Sequence, residues 1–237
     1  MRVGSLFSGI GGLDLGLERA GMQVVWQCEL DPFCRKVLAK HWPDVPCYED
    51  VKVIDASVPE IDLLCGGFPC QDVSHASRTK TGLCGDRSGL WHQFARIIRI
   101  LRPRIVIVEN VLALRDRGLG IVLRDLALLR YDASWSSFSA CTVGGSHMRW
   151  RLFIVAYSDQ INGAAWLGSF DREIQRQAKS KEEYTRKGHE EWLLSTSRVD
   201  RNSFGVPNRH DRVGSLGNAV HVDCSEVIGR AIMEITV

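Results

Sequence analysis

The sequence lacks the features that mark several common classes of protein. None of its 8 cysteines is spaced C-x-x-C, which excludes the usual zinc and thioredoxin motifs. No apolar run approaches the ~18 residues that a transmembrane helix needs, and the first residues, MRVGSLFSG, lack the apolar core of a signal peptide. There is no internal repeat and no low-complexity tract. We therefore expect a reduced, cytoplasmic protein that holds no metal and is not attached to a membrane.

An excess of charge of one sign is also missing. The formal net charge is only +2, and 45% of the 237 residues are hydrophobic and 24% charged, which are ordinary values for a globular chain. A nucleic-acid partner would have to be held by a local basic surface, because the overall charge is too small to attract it. The length suits one large α/β domain, with or without a small second lobe.

Short apolar runs alternate with stretches of helical spacing as far as residue 157. The runs that predict strands are Arg2–Phe7, Val24–Leu30, Ile61–Cys65, Ile105–Val108 and Leu152–Tyr157. Helices are expected over Trp91–Arg102 and Leu119–Arg130, from Asp31-Pro32 onward, and again after Val220. Strands that are apolar on both faces and alternate with helices predict a doubly wound, mostly parallel α/β sheet, whose ligand lies at the carboxyl ends of the strands.

The composition changes after Tyr157. Charged residues dominate the stretch 171–191, which has almost no apolar periodicity. This stretch is either a solvated helix or insertion, or part of a lobe that recognises a partner.

Two strand ends together favour a nucleoside-containing cofactor. The first strand ends in the glycine turn Phe7-Ser8-Gly9-Ile10-Gly11-Gly12, where the backbone can approach a ligand closely. The second ends in Glu29-Leu30-Asp31, and a carboxylate at this position can accept hydrogen bonds from two ribose hydroxyls. A glycine turn alone is a weak signal, so the prediction depends on the combination.

Two further strand ends carry a nucleophile and an acid. Gly66-Gly67-Phe68-Pro69-Cys70-Gln71 presents a cysteine among turn-forming residues, and the next long strand ends in Glu109-Asn110-Val111. Such a pair at one edge of a sheet is typical of covalent catalysis. Three other cysteines, Cys28, Cys65 and Cys141, lie in apolar segments and are interpreted as small buried hydrophobic residues.

With these motifs in this order, the sequence resembles the cytosine-C5 DNA methyltransferase family, in particular its short, prophage-type members. The resemblance implies a Rossmann-like fold, S-adenosylmethionine as cofactor and double-stranded DNA as partner. The implied cofactor-binding residues are Phe7, Gly9, Ile10, Gly11, Gly12, Glu29, Leu30, Asp50, Val51, Pro69, Asn218 and Ala219. The implied catalytic residues are Cys70, Glu109, Arg149 and Arg151. The loop after Cys70 is rich in basic residues and contains glycine, so Ser74, Arg78, Lys80 and Arg87 are expected to contact DNA phosphates, and Gln71 is also expected to bind DNA.

The resemblance also implies a reaction. The Cys70 thiolate adds to C6 of a cytosine that has been flipped out of the duplex, which makes C5 nucleophilic toward the methyl group. Glu109, protonated when the adduct forms, hydrogen-bonds to N3 or protonates it. Loss of the C5 proton and elimination of Cys70 then release 5-methylcytosine.

The same resemblance divides the chain into three parts. They are a catalytic and cofactor-binding domain over 1–157, a small target-recognition region over 158–204, and a C-terminal segment over 205–237 that returns to the catalytic domain. His147 and His221 stand where many members have other residues, which concerns sequence selectivity and catalytic rate. A companion restriction endonuclease could accompany the enzyme.

Two alternatives remain open at this point. One is a tRNA cytosine-C5 methyltransferase, although the Cys-Phe-Thr signature of that branch is not found in the sequence. The other is a weakly active or inactive DNA-binding relative, against which the presence of both Cys70 and Glu109 argues.

Overall fold

Seven strands occur in the described residues and form one sheet. The computed structural model describes residues 1–69, 89–145, 149–159, 172–176 and 219–236. The strands are β1 (Arg2–Leu6), β2 (Gln23–Cys28), β3 (Cys47–Tyr48), β4 (Leu63–Gly66), β5 (Ile105–Val111), β6 (Tyr131–Ser139) and β7 (Trp150–Ser158). Their order is β3-β2-β1-β4-β5-β7-β6; β1 to β5 are parallel, and β7 is antiparallel to both of its neighbours.

Helices cover both faces of this sheet. They are α1 (Gly12–Arg19), α2 (Pro32–His41), α3 (Gly89–Leu101), α4 (Leu114–Arg117), α5 (Leu119–Leu128) and α6 (Val222–Thr236). On one face α1 and α6 bury residues such as Leu17 and Ile228 against the strands. On the other face α3 and α5 bury residues such as Phe94 and Val122. The prediction of a doubly wound, mostly parallel sheet is confirmed.

The strand order reverses at β1, which pairs with β2 on one side and with β4 on the other. In open α/β sheets the crevice at such a reversal, beyond the carboxyl ends of the strands, is where ligands bind. Residues 7–11 follow β1 here, and residues 67–69 follow β4. The topology therefore brings the glycine turn and the start of the predicted nucleophile loop to one sheet edge.

All five predicted strands are present, but two further strands were not predicted. The strand β3 has only 2 residues and therefore leaves no periodic pattern in the sequence. The strand β6 lies at the edge of the sheet, and its sequence YDASWSSFS is rich in serine, with Trp135 half-exposed. Its polar composition resembles that of a loop.

The predicted helices are also present, with small differences in their ends. Asp31 begins α2 as expected, because its Oδ1 accepts hydrogen bonds from the backbone N–H groups of Phe33 and Cys34 at 2.8 and 2.9 Å. The C-terminal helix α6 packs closely on α1. A Cβ atom at Gly16 would collide with Ser225 Oγ and with the backbone carbonyl of Val222, so glycine is required for this approach.

One interpretation of the cysteines is wrong. Cys28 and Cys65 are buried as expected, but Cys141 is exposed, because it lies in the 3₁₀ turn Ala140–Val143 after β6 rather than in a strand. In the part of the chain that the structure describes, no helix has both the length and the apolar character needed to cross a membrane.

Candidate active site

The turn after β1 has an unusual backbone. Phe7, Gly9 and Gly11 adopt φ values of 53°, 55° and 81°, all in the left-handed region. Glycine takes this conformation without cost, whereas phenylalanine does so only when its surroundings enforce it. The turn leads into the first turn of α1, for which Gly11 is the N-terminal cap. The turn therefore brings backbone to the sheet edge, where the Gly11 N–H donates to the Ser8 carbonyl at 2.9 Å.

Glu29 lies beside this turn at the end of β2. Its Oε2 accepts a hydrogen bond from the Gly9 N–H at 2.7 Å, and its Oε1 accepts one from the Asp31 N–H at 2.8 Å. Each carboxylate oxygen can accept more than one hydrogen bond, so Glu29 remains able to bind ligand hydroxyls. The next residue, Leu30, is 71% exposed and presents an apolar side chain at the same edge.

The segment that contains Asp50 and Val51 is held by an arginine that was not among the predicted site residues. Asp50 accepts a hydrogen bond from the Lys52 N–H at 3.0 Å and begins the turn Val51–Val53. Arg96 of α3 donates to the carbonyls of Ile54 and Val51 at 2.9 and 2.8 Å. This anchor could not be predicted, because its partners are separated from Arg96 by 42 and 45 residues.

The loop that leads toward Cys70 packs directly against the acid on β5. A Cβ atom at Gly67 would lie 2.5 Å from Oε2 of Glu109, so a larger residue there would displace the carboxyl group or the loop. Asn110 donates from Nδ2 to the carbonyl of Phe68 at 3.1 Å. The Phe68 ring is buried against Trp91 of α3, with ring centroids 5.5 Å apart. The side chains of Glu109 and Asn110, on the neighbouring strand β5, thus hold residues 67–69 in place.

Glu109 is buried and forms an ion pair with an arginine on the antiparallel strand. Arg151 Nε lies 2.8 Å from Glu109 Oε1, and both side chains are mostly buried. Burial raises the pKa of the Glu109 carboxyl to about 7, against the lowering effects of Arg151 and Arg149. A carboxyl group with this pKa is available both as a proton donor and as a base near neutral pH.

Arg149 lies close to the same acid and lines a cavity of about 580 Å³. Burial, followed by the neighbouring charge of Arg151, lowers the pKa of its guanidinium. The cavity is also lined by the turn Ile10-Gly11-Gly12, by Trp42 and by the segment from Ala219 to Asp223. Four distant parts of the chain therefore meet around this cavity, and all but the part with Trp42 were predicted to contribute to the site.

Several predicted site residues lie outside the described residues. They are Cys70, Gln71, Ser74, Arg78, Lys80, Arg87 and Asn218, together with His147. Most of the predicted recognition region 158–204 also lies outside them, because only 158–159 and 172–176 are described. Within the described ranges, no group of three or more His, Cys, Asp and Glu side chains could hold a metal ion.

Known proteins resemble this chain in both sequence and fold. The sequence model of the family described as C-5 cytosine-specific DNA methylase matches residues 1–204. Type II methyltransferase M.DsaV of Dactylococcopsis salina is 32% identical over 217 residues, which cover 90% of this chain and 60% of that protein. Type II methyltransferase M2.BsuMI of Bacillus subtilis is 35% identical over 164 residues, covering 66% of this chain and 42% of that protein. The chain thus spans about half the length of these relatives.

A crystal structure provides the corresponding comparison of folds. It is provisionally assigned as a DNA modification methyltransferase encoded within a prophage of E. coli. The TM-score is 0.58 with 27% sequence identity, and the match covers 68% of this chain and 47% of that one.

Proposed function

This chain belongs to the C-5 cytosine-specific DNA methylase family, and we propose that it methylates C5 of a flipped cytosine in double-stranded DNA, with S-adenosylmethionine as the methyl donor and Cys70 as the nucleophile. The observation that carries the proposal is the buried Glu109–Arg151 pair directly beneath Gly67, at the start of the loop to Cys70. A binding module would have no use for a buried carboxyl group with a pKa of about 7 at this place.

The described residues fit S-adenosylmethionine. In the left-handed turn at Gly9 and Gly11, nothing lies within 4 Å of a Cβ built at Gly9, so a ligand can approach the backbone there. The Glu29 carboxylate would accept the ribose hydroxyls, Leu30 would contact the adenine, and Asp50 with Val51 would lie at its edge. When bound, this group supplies an electrophilic methyl group on a sulfonium.

Cys70 would attack C6 of the cytosine as a thiolate, and the electron pair of the C5–C6 double bond would become available at C5. Glu109 would deliver or share a proton at N3, so that negative charge does not build up on the pyrimidine. After the methyl group reaches C5, removal of the C5 proton restores the double bond and expels the Cys70 thiolate. The methyl group gained at C5 takes the place of the proton lost there, so the ring ends with the same net charge as it began.

The two arginines would assist in different ways. Arg151 already holds Oε1 of Glu109, so it fixes the direction in which the acid presents its other oxygen. Arg149 lines the cavity next to the glycine turn and would contact the cytosine or its phosphate. Flipping is required because C5 and C6 are otherwise stacked within the duplex.

The DNA contacts follow from the sequence. Ser74, Arg78, Lys80 and Arg87 would bind phosphates and close over the target, Gln71 would also contact the DNA, and residues 158–204 would select the DNA sequence. The relatives are named Type II methyltransferases, which supports a role beside a companion restriction endonuclease.

The test is methyl transfer by the full chain. The purified protein is incubated with tritium-labelled S-adenosylmethionine and, separately, with bacterial genomic DNA and with total tRNA. Label in DNA, with 5-methylcytosine as the product and bisulfite sequencing to give its sequence context, supports the proposal. The matched variant Glu109→Gln keeps the shape of the side chain and should lose the activity.

Two outcomes would contradict the proposal. Label in tRNA but not in DNA would assign the substrate to the RNA branch of the family. Cofactor binding without transfer to either nucleic acid would indicate a relative that is inactive alone.

A further inference from the structure

A buried carboxylate lies next to the turn at residues 7–11 and has no role in the proposed methyl transfer. Asp14, in the first turn of α1, is completely buried. Its Oδ1 accepts a hydrogen bond from Ser5 Oγ at 2.6 Å, and its Oδ2 accepts one from Gln27 Nε2 at 2.6 Å. Ser8 Oγ in turn donates to Ser5 Oγ at 2.9 Å. One carboxylate thus connects β1, α1, β2 and the turn after β1.

Packing alone does not account for this carboxylate. Transferring a charged group from water into the core is costly, and an apolar side chain would fill the same space without that cost. Burial raises the pKa of Asp14 to about 6, against the hydrogen bonds of Ser5 and Gln27, and the charge of Glu18 raises it further. The position of Asp14 at the N-terminus of α1 and its two charge-assisted hydrogen bonds stabilise the ionised form.

The chain of hydrogen bonds ends at Ser8, which follows Phe7, the residue of the turn with an unfavourable backbone conformation. Phe7 has a φ of 53°, which a phenylalanine adopts only under constraint. Ser8 is held at every polar atom: its N–H donates to the Cys28 carbonyl at 3.2 Å, its carbonyl accepts from the Gly11 N–H at 2.9 Å, and its hydroxyl belongs to the Asp14 chain. Fixing Ser8 therefore fixes the turn on both sides of it.

The same network also holds the strand that carries Glu29. Gln27 precedes Glu29 by two residues on β2, and the Glu29 carboxylate accepts the Gly9 N–H at 2.7 Å. Besides the backbone hydrogen bond from the Ser8 N–H to the Cys28 carbonyl, two connections through side chains join the turn to the end of β2. One lies in the site, between Gly9 and Glu29, and the other lies beneath it, from Ser8 through Ser5 and Asp14 to Gln27.

We propose that Asp14 is a positioning residue for cofactor binding: it keeps the turn at residues 7–11 and the end of β2 in the arrangement that S-adenosylmethionine requires. The inference rests on the proposed function, since it concerns the cofactor of that reaction. Asp14 does not touch the cofactor; it acts through Ser8 and Gln27.

The test measures the affinity for S-adenosylmethionine by calorimetry, well below the unfolding temperature. Asp14→Ala should raise the Kd about tenfold, since it removes the common acceptor of two hydrogen bonds. Ser8→Ala, which deletes only the hydroxyl that leads to the turn, should raise the Kd about fivefold. Asp14→Asn should bind nearly as well as wild type, because the Gln27 amide can rotate and accept from the new amide group. This rescue separates positioning from a general need for negative charge.

The matched control is Asp125→Ala on α5. Asp125 also accepts a hydrogen bond from a core side chain, Trp91 Nε1 at 2.9 Å, but lies in α5 on the other face of the sheet from α1. It should lower the unfolding temperature and leave the Kd unchanged.

The outcomes distinguish this inference from the proposed function. If wild type binds no S-adenosylmethionine, both fail together. If wild type binds and a folded Asp14→Ala binds equally well, only this inference is overturned. Should Asp14→Ala not fold, an unchanged Kd in Ser8→Ala overturns it instead. A double variant, Asp14→Ala with Ser8→Ala, should bind no worse than Asp14→Ala alone, and additive losses would contradict a single connected chain.

Discussion

Arg151 Nε lies 2.8 Å from Oε1 of Glu109, and this contact joins two strands that run in opposite directions. Because β7 is antiparallel to β5, its first residues lie at the same sheet edge as the last residues of β5, where Val111 faces Arg151. The acid of the candidate site thus acquires a cationic partner from a segment some forty residues later in the chain. A parallel strand would have placed its N-terminal residues at the opposite edge.

The first prediction concerns the pH dependence of stability. Burial raises the pKa of Glu109 from 4.5 to about 7, so the folded protein binds a proton that the unfolded chain has released. The stabilisation is complete below about pH 4.5 and is lost as the pH rises to about 7. Glu109→Gln cannot titrate. Between pH 4.5 and 7, the free energy of unfolding measured in urea should fall by up to about 3 kcal/mol more for wild type than for Glu109→Gln. This follows from about 1.4 kcal/mol for each unit of pKa shift. Parallel curves for the two proteins would contradict the raised pKa.

The second prediction concerns the close approach at Gly67. In Gly67→Ala the new Cβ would lie 2.5 Å from Glu109 Oε2, so the loop or the acid must move. We expect a destabilisation of about 1–3 kcal/mol and loss of methyl transfer. Gly120→Ala is the control, because nothing lies within 4 Å of a Cβ at that exposed position of α5. It should be neutral or stabilising by up to about 1 kcal/mol. Chemical denaturation measures the stability of the two variants, and the transfer assay measures their activity. Equal stability and activity in the two variants would contradict a steric clash at Gly67.

The third prediction separates loop position from cofactor binding. Asn110→Ala removes the hydrogen bond from Nδ2 to the Phe68 carbonyl, two residues before Cys70. A nucleophile displaced by about 1 Å loses roughly 100-fold in rate, so kcat should fall by this order while the Kd for S-adenosylmethionine stays constant. Steady-state kinetics gives kcat, and calorimetry on the same preparation gives the Kd for S-adenosylmethionine. A change in Kd with unaltered kcat would place Asn110 in the cofactor site instead.

The sequence predicts those parts of the fold that come from local patterns. The apolar runs of β1, β2, β4, β5 and β7 and the helical spacing of α3 are visible because burial on both faces, or along one stripe, leaves a periodic signal. The edge strand β6 leaves no such periodic signal, because its serine-rich sequence is held in the sheet by backbone hydrogen bonds, which need no apolar side chains.

Candidate site residues divide in the same way. Glu29 and Glu109 are predictable, since each follows an apolar run at the edge where ligands bind. The contacts of Arg96 and Asn110 are not, because each side chain donates to backbone carbonyls that are more than forty residues away in the chain. A side chain that stabilises a loop through backbone atoms requires no particular residue type in its partner. The sequence of the partner segment therefore gives no indication of the contact.

The last prediction distinguishes Cys70 from the other cysteines. Burial raises the pKa of the Cys28 and Cys224 thiols to about 12, and that of Cys65 well above its usual value, so these groups are not thiolates near neutral pH. DNA that carries 5-fluorocytosine at the target should trap the protein, because fluorine cannot leave C5 as a proton and elimination of the cysteine stalls.

Cys70→Ser should abolish both trapping and transfer, since an alcohol is much less ionised than a thiol. Cys65→Ser, on β4 and fully buried, is the matched control. It exchanges a buried thiol that is hydrogen-bonded with Ser5 for a hydroxyl among otherwise apolar neighbours, and it should lower stability by about 1–3 kcal/mol while covalent trapping persists. Denaturing gels with labelled DNA resolve the covalent complex. A complex that survives Cys70→Ser but disappears in another cysteine variant would assign the nucleophile elsewhere, and Glu109 would then need a different partner at the edge of the sheet.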